Sequence, residues 1–495
     1  MIDLDKSTQE SVKTSLEKKL KKYFEDEIIY KDLRNSNFLS SLNLPSFIRD
    51  WLLKASEDEN GNINVNIAER YKSLIPKKED SNKIISSVME GNFVDVVTKL
   101  YIKIDIATRE KSFSIPNLNL KYSETIIPEN VWVKYKGDFF DELEIWGKIT
   151  LGYRMLDDRK GNKPIGKISL ENFEKFCPYT IDLEYYKNAR AKFTIQEWID
   201  VLLGAIDYNA DGFENETQKL TMLSRLLPFV EKKVNLIELA PKGTGKSYVF
   251  GRLSRYGWIS SGGILTRAKM FYDISRNTEG LVCHNDYVAL DEAQTISFGN
   301  AKDEMRGILK AYMEQGTFNV GKSSSSADSG IILLGNIDHS LMSRYKNMLQ
   351  GLSAFYESAL IDRFHGFIEG WHIPRMTDDM KMIGWGLNSE YFASILHEMR
   401  EEIIYRNIVE KKIIDPKQTD TRDTEAIKRL TTAYLKLLFP NVKSPKDISA
   451  RDFDKYCLSP AEDMRKVIKI QLGIMDEEFR GKDIPDFDVV EDEEN

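Results

Sequence analysis

The residues with the most specific chemistry form one short run, Pro241-Lys242-Gly243-Thr244-Gly245-Lys246-Ser247. It follows an apolar stretch and precedes a segment of helical character, so its backbone N–H groups and the helix dipole would surround a phosphate. All seven residues are predicted to bind nucleotide, with Lys246 on the β/γ oxygens and Ser247 on Mg²⁺. The expected cofactors are therefore ATP and Mg²⁺. Ala240 stands where the pattern has Gly, which is tolerable if φ there is negative.

Two later apolar runs end in polar residues. Tyr287 to Leu290 leads into Asp291 and Glu292, and Ile331 to Leu334 leads through Gly335 into Asn336. The first run predicts a strand that brings Asp291 to the Mg²⁺ shell and Glu292 to the water that attacks the γ-phosphate. Asn336 would hold that water or sense the γ-phosphate at the same edge of a parallel sheet. The alternatives are a structural acidic pair and a turn-forming Asn.

Arginines beyond these strands are candidates for phosphate contact. Arg363 is predicted to be a finger inserted into a neighbouring subunit's site, with Arg344 as its competitor. Arg422 begins a helical stretch that ends before Pro440, and this stretch fits a lid that brings Arg422 to the phosphates. A surface salt bridge is the alternative for Arg363 and Arg344.

Residues 317–330, between the two apolar runs, predict a β-hairpin with a flexible tip. Lys322 at the tip would contact the phosphate backbone of DNA, because lysine supplies charge without reading bases. An ordinary solvated hairpin is the alternative. If the protein instead formed a ring that threads polypeptide through its central pore, Phe318 would be the aromatic residue that contacts the polypeptide there.

Composition limits the remaining possibilities. A chain of 495 residues with a net charge of −8 predicts several domains and allows only local contact with nucleic acid. Its three cysteines lack the paired spacing of a disulfide framework or a zinc ribbon. The polar start and the lack of a long apolar run predict a cytoplasmic protein with no membrane partner.

The expected fold is multidomain α/β, with a P-loop ATPase core, a helical lid and two preceding domains. Alternating runs such as Lys99 to Ile106 and Val131 to Tyr135 predict the β-rich domain, with an OB-like barrel as one form. Thr194 and Glu197 have capping-box spacing at the start of the core. The predicted domains are helical (1–85), β-rich and DNA-binding (86–190), ATPase core (191–375), lid (376–440), and helical segment with acidic tail (441–495).

Taken together, these motifs resemble an AAA+ ATPase. Leu309 to Lys322 and Thr421 to Leu430 resemble the hairpin and lid helix of minichromosome maintenance helicases. The chain further resembles the BrxL family of Lon-related ATPases from BREX phage-defence systems. That resemblance rests on these segments: Glu238 to Ser247, Ser260 to Gly263, Phe271-Tyr272, Asp362 to His365 and Gly370 to Pro374.

The resemblance implies an ATP-hydrolysing homo-oligomeric ring, hexameric or heptameric and with stacked rings allowed, that binds double-stranded DNA. Its expected partners are other BREX or phage-defence proteins. A Lon-like protease domain follows the lid in relatives; residues 441–495 are too short for one, so protease activity is not expected. A protein-remodelling ATPase is the first alternative, and a DNA clamp in which ATP only sets assembly is the second.

Overall fold

The computed structural model describes residues 15–33, 45–56, 70–140, 145–156, 164–175, 181–275, 278–321 and 323–491. The chain divides into two compact units. One is residues 47–180, and the other combines residues 1–46 with 181–495. Within the described ranges, no helix has both the length and the apolar character needed to cross a membrane.

Strands occur in both units. In chain order they are β1 (Ile28–Asp32), β2 (Val94–Ile104), β3 (Lys111–Ser114), β4 (Thr125–Ile126), β5 (Ile145–Leu156), β6 (Ile165–Lys175), β7 (Leu236–Ala240), β8 (Gly257–Ile264), β9 (Tyr272–Asp273), β10 (Thr278–Glu279), β11 (Tyr287–Ser297), β12 (Thr317–Val320), β13 (Ser323–Ser326), β14 (Gly330–Asn336), β15 (Gly366–Glu369), β16 (Ile383–Leu387), β17 (Ile413–Ile414) and β18 (Asp488–Val489).

Helices surround these strands. The α-helices with assigned bounds are α1 (Ser46–Ala55), α2 (Ser81–Met89), α3 (Glu129–Phe140), α4 (Leu183–Arg190), α5 (Ile195–Ala205), α6 (Glu216–Leu223), α7 (Leu227–Val230), α8 (Lys246–Arg252), α9 (Arg267–Met270), α10 (Lys302–Gln315), α11 (Ser358–Ile361), α12 (Ser389–Met399), α13 (Ile404–Lys412), α14 (Thr421–Leu438), α15 (Ala450–Phe453) and α16 (Ser459–Met475).

The unit of residues 47–180 is built on a five-stranded sheet in the order β3-β2-β5-β6-β4. Its core buries Phe113, Ile149 and Leu170 completely. The end strands β3 and β4 also meet, because Phe113 N donates to Thr125 Oγ1 (3.0 Å) and Ile127 N donates to Lys111 O (2.8 Å). The sheet agrees with a β-rich unit, while the OB-like form stays a prediction.

One strand prediction in this unit is wrong. The run Val131 to Tyr135, expected to alternate as a strand, lies in helix α3. Val131 and Phe139 are buried and Tyr135 packs against the same core, which is the i, i+4, i+8 spacing of one helix face. Five residues are too few to separate this spacing from alternation.

The larger unit contains a five-stranded, wholly parallel sheet in the order β15-β7-β14-β11-β8. Strand β7 is buried at every position, as expected of a parallel strand covered on both faces. In the register, Leu236 pairs with Gly366 and Ala240 pairs with Asn336. The sheet therefore has two defined edges: the amino edge, where its strands begin, and the carboxyl edge, where they end.

Residues near the amino terminus pack into this larger unit. Strand β1 pairs antiparallel with β16, and Phe24 lies 6.3 Å, ring to ring, from Trp198 of helix α5. The capping box at the start of α5 is confirmed, since Glu197 N donates to Thr194 Oγ1 and Thr194 N donates to Glu197 Oε2. The predicted boundary at residue 85 does not coincide with the two compact units, and the five-domain division stays a prediction.

Candidate active site

The glycine-rich run forms a tight loop between the end of β7 and the start of α8. Gly243 and Gly245 adopt φ values of +83° and +79°, a left-handed conformation that costs glycine little. A Cβ on Gly245 would also lie 2.1 Å from the Tyr208 hydroxyl oxygen. The loop thus keeps its backbone N–H groups unshielded at a helix N-terminus, as phosphate binding requires.

Lys246 points back over this loop. Its Nζ donates to the carbonyl oxygens of Ala240 and Pro241 (3.2 Å each) and to Asn336 Oδ1 (3.4 Å). Burial lowers the pKa of the Lys246 ammonium, because desolvation disfavours the charged form. An ammonium held only by neutral oxygens is free to exchange them for phosphate oxygens.

Ser247 and Asp291 meet beside the loop. The Ser247 hydroxyl donates to Asp291 Oδ2 at 2.6 Å, and Asp291 Oδ1 accepts from Glu292 N at 2.8 Å. A hydroxyl and a carboxylate are the hard oxygen ligands that Mg²⁺ takes in nucleotide sites. The pair fits the predicted magnesium position.

Glu292 has the least usual backbone of the site, with φ at +52°. Residues held there cost about 1–3 kcal/mol and cluster at functional sites. Among the described residues, its carboxylate has no hydrogen-bond or ion-pair partner. A Cβ on Gly262 would come within 3.3 Å of Glu292 Oε2 and 2.6 Å of Thr295 Oγ1, so Gly262 keeps the space beside this carboxylate open.

Asn336 ends β14 in register with Ala240. β14 lies between β7 and β11, and β11 stops pairing with β14 after Leu290. Asp291 therefore follows the last paired residue of β11 at the same edge. The structure therefore brings Lys246, Asp291 and Asn336 together at the carboxyl edge, as the sequence patterns predicted.

A buried ion pair under the loop is absent from the sequence predictions. Arg225 and Glu238 are both 0% exposed, and the guanidinium binds the carboxylate through two hydrogen bonds of 3.0 and 2.6 Å. A third donor binds the carbonyl oxygen of Thr244 at 2.8 Å. Arg225 thus positions the phosphate loop through the carbonyl oxygen of Thr244. The signal for it was Glu238, a lone acid in an apolar strand that requires a partner.

Ala240, the departure from the loop pattern, has a structural explanation. It lies in a strand at negative φ and is fully buried. A Cβ on Gly370 would lie 2.4 Å from the Ala240 methyl carbon, so Gly370 provides the space that the methyl group occupies. The chain then crosses the loop, where Met376 N donates to Gly243 O at 2.8 Å.

A cavity of ≈ 200 Å³ opens beside Tyr208. Its lining includes Asn209, Val201, Met382 and Trp385. The Tyr208 hydroxyl is buried against Gly245 and has no hydrogen-bond partner among the described residues. Apolar walls with a few polar groups are typical of a small-molecule pocket.

Arg363 lies at the opposite edge of the sheet. It precedes β15, whose first residue Gly366 pairs with Leu236 at the start of β7, and His365 N donates to Asn235 O at 2.9 Å. The length of β7 alone, about 13 Å, separates this amino edge from the start of the phosphate loop. Arg363 is therefore remote from the phosphate loop of its own chain.

Arg422 lies next to Arg363. Its guanidinium donates to Asp362 Oδ2 at 3.0 Å and to Glu314 Oε1 at 3.1 Å. Helix α14 therefore places Arg422 at the amino edge, and its predicted approach to phosphate as part of a lid stays a prediction.

Fully buried charges fix this arrangement. Arg465, 0% exposed, binds the carboxylates of Asp362 and Asp423 at 2.7 Å each and the carbonyl oxygen of Phe364 at 2.6 Å. Lys469 binds the other oxygen of Asp423 at 2.6 Å. Helices α14 and α16 are thereby tied to the segment that carries Arg363.

Arg344, the alternative finger, is paired within its chain. It binds Glu369 at 2.6 Å and Asp463 at 2.8 Å, and these hydrogen bonds raise the pKa of its guanidinium. These two carboxylates give Arg344 a structural role at the carboxyl end of β15.

The predicted hairpin is present as β12 and β13, with Thr317 opposite Ser326. Phe318 is 1% exposed and lies 5.1 Å, ring to ring, from Phe271, so it is not displayed as a pore aromatic. Lys322 lies outside the described residues, and its contact with DNA stays a prediction.

Comparison with known proteins gives consistent matches to two family models. The model described as "Lon-like protease BrxL-like, ATPase domain" matches residues 168–484. The model described as "BREX system Lon protease-like protein BrxL N-terminal" matches residues 22–153. The ATPase match includes the phosphate loop, the Asp291 and Asn336 strands and both amino-edge arginines.

Two curated relatives align with most of the length of this chain. "Lon-like protease BrxL" of Escherichia coli O9:H4 (strain HS) is 29% identical over 466 residues, covering 92% of this chain and 64% of the relative. "Lon-like protease BrxL" of Bacillus cereus (strain H3081.97) is 30% identical over 435 residues, covering 86% and 62%. The chain thus spans less than two thirds of the length of these relatives.

Proposed function

Because the chain belongs to the BrxL family, whose ATPase domain is associated with BREX defence systems, we propose that it is an AAA+ ATPase of a DNA-binding ring. The ring is a homo-oligomer of six or seven subunits that encircles double-stranded DNA in the cytoplasm and acts with other BREX proteins against phage. The N-terminal β-rich unit and the hairpins contact the DNA.

One observation carries the ring assignment. Lys246 lies at the carboxyl edge of the sheet, and Arg363 and Arg422 lie together at the amino edge. A nucleotide site that needs Lys246 and the two arginines is completed when the amino edge of one copy faces the carboxyl edge of the next. Such a head-to-tail contact repeats into a closed ring when the rotation between neighbouring copies closes.

Each residue at the carboxyl edge has a proposed task. The loop amides and Lys246 bind the phosphates, and Ser247 with Asp291 holds Mg²⁺, which neutralises charge on the β- and γ-phosphates when bound. Glu292 polarises the attacking water, and Asn336 orients it beside Lys246. Tyr208 lines the cavity and lies against Gly245 of the loop, so this cavity would take the adenine base.

The ATPase assignment is tested with Glu292→Gln. The amide has the shape of the carboxylate but cannot accept a proton from water, so ATP binding should persist while hydrolysis falls by about 10²-fold or more. Glu304→Gln, on helix α10, is the matched control. Unchanged hydrolysis in Glu292→Gln would contradict the assignment.

DNA binding is tested by titration with duplex DNA at several salt concentrations. Phosphate contacts release counterions, so affinity should fall steeply with salt. Lys322→Ala should weaken binding and reduce the salt slope, whereas Lys302→Ala, an exposed lysine outside the hairpin, should not. Salt-independent binding would contradict the proposal. ATPase stimulation by unfolded protein but not by DNA would instead favour the protein-remodelling alternative.

Phage resistance of cells that carry Glu292→Gln tests whether defence requires ATP hydrolysis. A motor loses phage resistance when Glu292→Gln stops hydrolysis. A clamp, in which ATP only sets assembly, keeps it. Plating efficiency of phage on cells that carry the variant distinguishes these two mechanisms.

A further inference from the structure

Glu314, in the last turn of α10, binds both amino-edge arginines. One carboxylate oxygen accepts from Arg363 Nε at 3.1 Å and from a terminal Arg363 nitrogen, and the other accepts from Arg422 at 3.1 Å. Burial alone would raise the pKa of Glu314, but hydrogen bonds from Arg422 and Arg363 lower it overall. The carboxylate is therefore ionised at neutral pH.

These contacts occupy the donors that a phosphate would need. The remaining terminal nitrogen of Arg363 donates to Ala359 O, so all three guanidinium nitrogens are engaged inside the chain. Arg422 divides its terminal nitrogens between Glu314 and Asp362. Neither arginine can present a bidentate face to a phosphate until Glu314 withdraws.

Glu314 is also connected to the hairpin. Helix α10 ends at Gln315, Gly316 reverses the chain at φ +74°, and β12 begins at Thr317. The backbone of Arg363 is held differently, since the buried Arg465 binds the carbonyl oxygens of Asp362 and Phe364. A shift of the hairpin would reach Glu314 through Gly316, while Arg465 holds the backbone on both sides of Arg363.

We infer that Glu314 is a latch between the hairpin and the arginine pair. With the hairpin at rest, its carboxylate binds both Arg363 and Arg422. When a polyanion displaces the hairpin, the carboxylate withdraws. Two nitrogens of Arg363 and one of Arg422 then become available to the phosphates of the adjacent subunit's nucleotide, while Asp362 still holds the other terminal nitrogen of Arg422. This inference rests on the proposed function for the polyanion and for the adjacent subunit's nucleotide. The Glu314 carboxylate is half-exposed, so its ion pairs are weak enough to break and reform.

The latch itself is tested without ATP hydrolysis. Wild type, Glu314→Gln and Glu304→Gln are treated with phenylglyoxal, and modification of each arginine is followed by peptide mass spectrometry. Glu314→Gln should raise the reactivity of Arg363 and Arg422 roughly threefold, as expected for loss of an exposed ion pair. Arg344 is the internal reference. The Glu304→Gln control loses only its contact with Arg267.

Unchanged reactivity of Arg363 and Arg422, or an increase that Arg344 shares, would overturn the latch. If Glu314→Gln fails to fold, Glu314→Asp replaces it, because the shorter carboxylate cannot hold both arginines.

ATPase assays then separate the two proposals. The latch predicts a higher DNA-free rate and less stimulation by DNA in Glu314→Gln. A lower DNA-free rate would make Glu314 an activator and overturn the latch. No effect of Arg363→Ala on hydrolysis would contradict the proposed function and leave the modification result decisive for the latch.

Discussion

At the carboxyl edge of the parallel sheet, Lys246 contacts only neutral oxygens, and Glu292 has no partner among the described residues. At the amino edge, Arg363 and Arg422 are held by carboxylates, over the buried Arg465 cluster. The first edge thus has groups ready to bind, and the second has cations that are already paired with carboxylates. Under the proposed function, each subunit would contribute its carboxyl edge to one nucleotide site and its amino-edge arginines to another.

The largest expected effect comes from removing one cation at each edge. Lys246→Ala should abolish nucleotide binding, because it removes the ammonium that lies over the loop carbonyl oxygens. Arg363→Ala should leave nucleotide affinity nearly unchanged and lower kcat by about 10³-fold if Arg363 acts as an arginine finger. Nucleotide titration and steady-state ATPase assays measure both. Arg480→Ala, an exposed arginine outside the site, is the control. Loss of nucleotide binding in Arg363→Ala would remove the distinction between the edges.

Both edges contain a fully buried arginine, but Arg225→Ala should cost more than Arg465→Ala. Arg225→Ala leaves the buried Glu238 carboxylate without its partner, which typically costs about 3–5 kcal/mol in the free energy of unfolding. After Arg465→Ala, Asp362 keeps Arg422 and Asp423 keeps Lys469, so a smaller loss is expected. Only Arg225→Ala should also weaken nucleotide binding, since Arg225 holds Thr244 O. Urea unfolding and nucleotide titration separate the two effects. Equal loss of nucleotide affinity in both variants would contradict the assigned roles.

A smaller effect is expected where Gly370 packs on Ala240. Gly370→Ala would place two methyl carbons 2.4 Å apart, and overpacking of this kind costs about 1–3 kcal/mol. Adding Ala240→Gly should restore part of that loss, measured as the coupling in a double-mutant cycle. If the effects of the two substitutions on the free energy of unfolding simply add, the methyl group of Ala240 does not depend on the space that Gly370 leaves.

The smallest effect is a pH dependence at the amino edge. Burial lowers the pKa of His365 well below its ordinary value, with Arg429 and Arg465 adding to the shift. The unfolded chain therefore binds a proton near pH 6.5 that the folded chain does not, and stability falls as pH drops below that value. The slope reaches about 1.4 kcal/mol per pH unit. His365→Asn should flatten this slope in urea unfolding between pH 7.5 and 5.5; an unchanged slope would assign it to other groups.

Local runs of sequence predicted the carboxyl edge well. A strand, a glycine turn and a helix start are contiguous, so Lys246 and Ser247 could be placed directly, and the ends of two apolar runs located Asp291 and Asn336. The amino edge was different, because it is assembled from residues far apart in the chain. Arg422 was expected at a lid, and only tertiary packing of α14 brings it to Arg363.

Short sequence patterns also gave wrong predictions where the buried face of an element can be recognised only from a longer stretch of sequence. Val131 to Tyr135 alternates over five residues, yet Phe139 completes a helical face. The Arg225–Glu238 pair joins residues in different elements, so the sequence showed the need for a partner and not its identity. Ala240 looked anomalous alone and is explained by Gly370, a residue 130 positions away that meets it in space.

Mixing Lys246→Ala subunits with Arg363→Ala subunits tests the division of the site most directly. Each variant alone should be inactive. In a randomly mixed ring at equal amounts, about a quarter of the interfaces would pair an intact phosphate loop with an intact Arg363, so ATP hydrolysis should return to roughly that fraction of the wild-type rate. Activity that stays at the level of the separate variants in rings shown to contain both subunits would contradict the account.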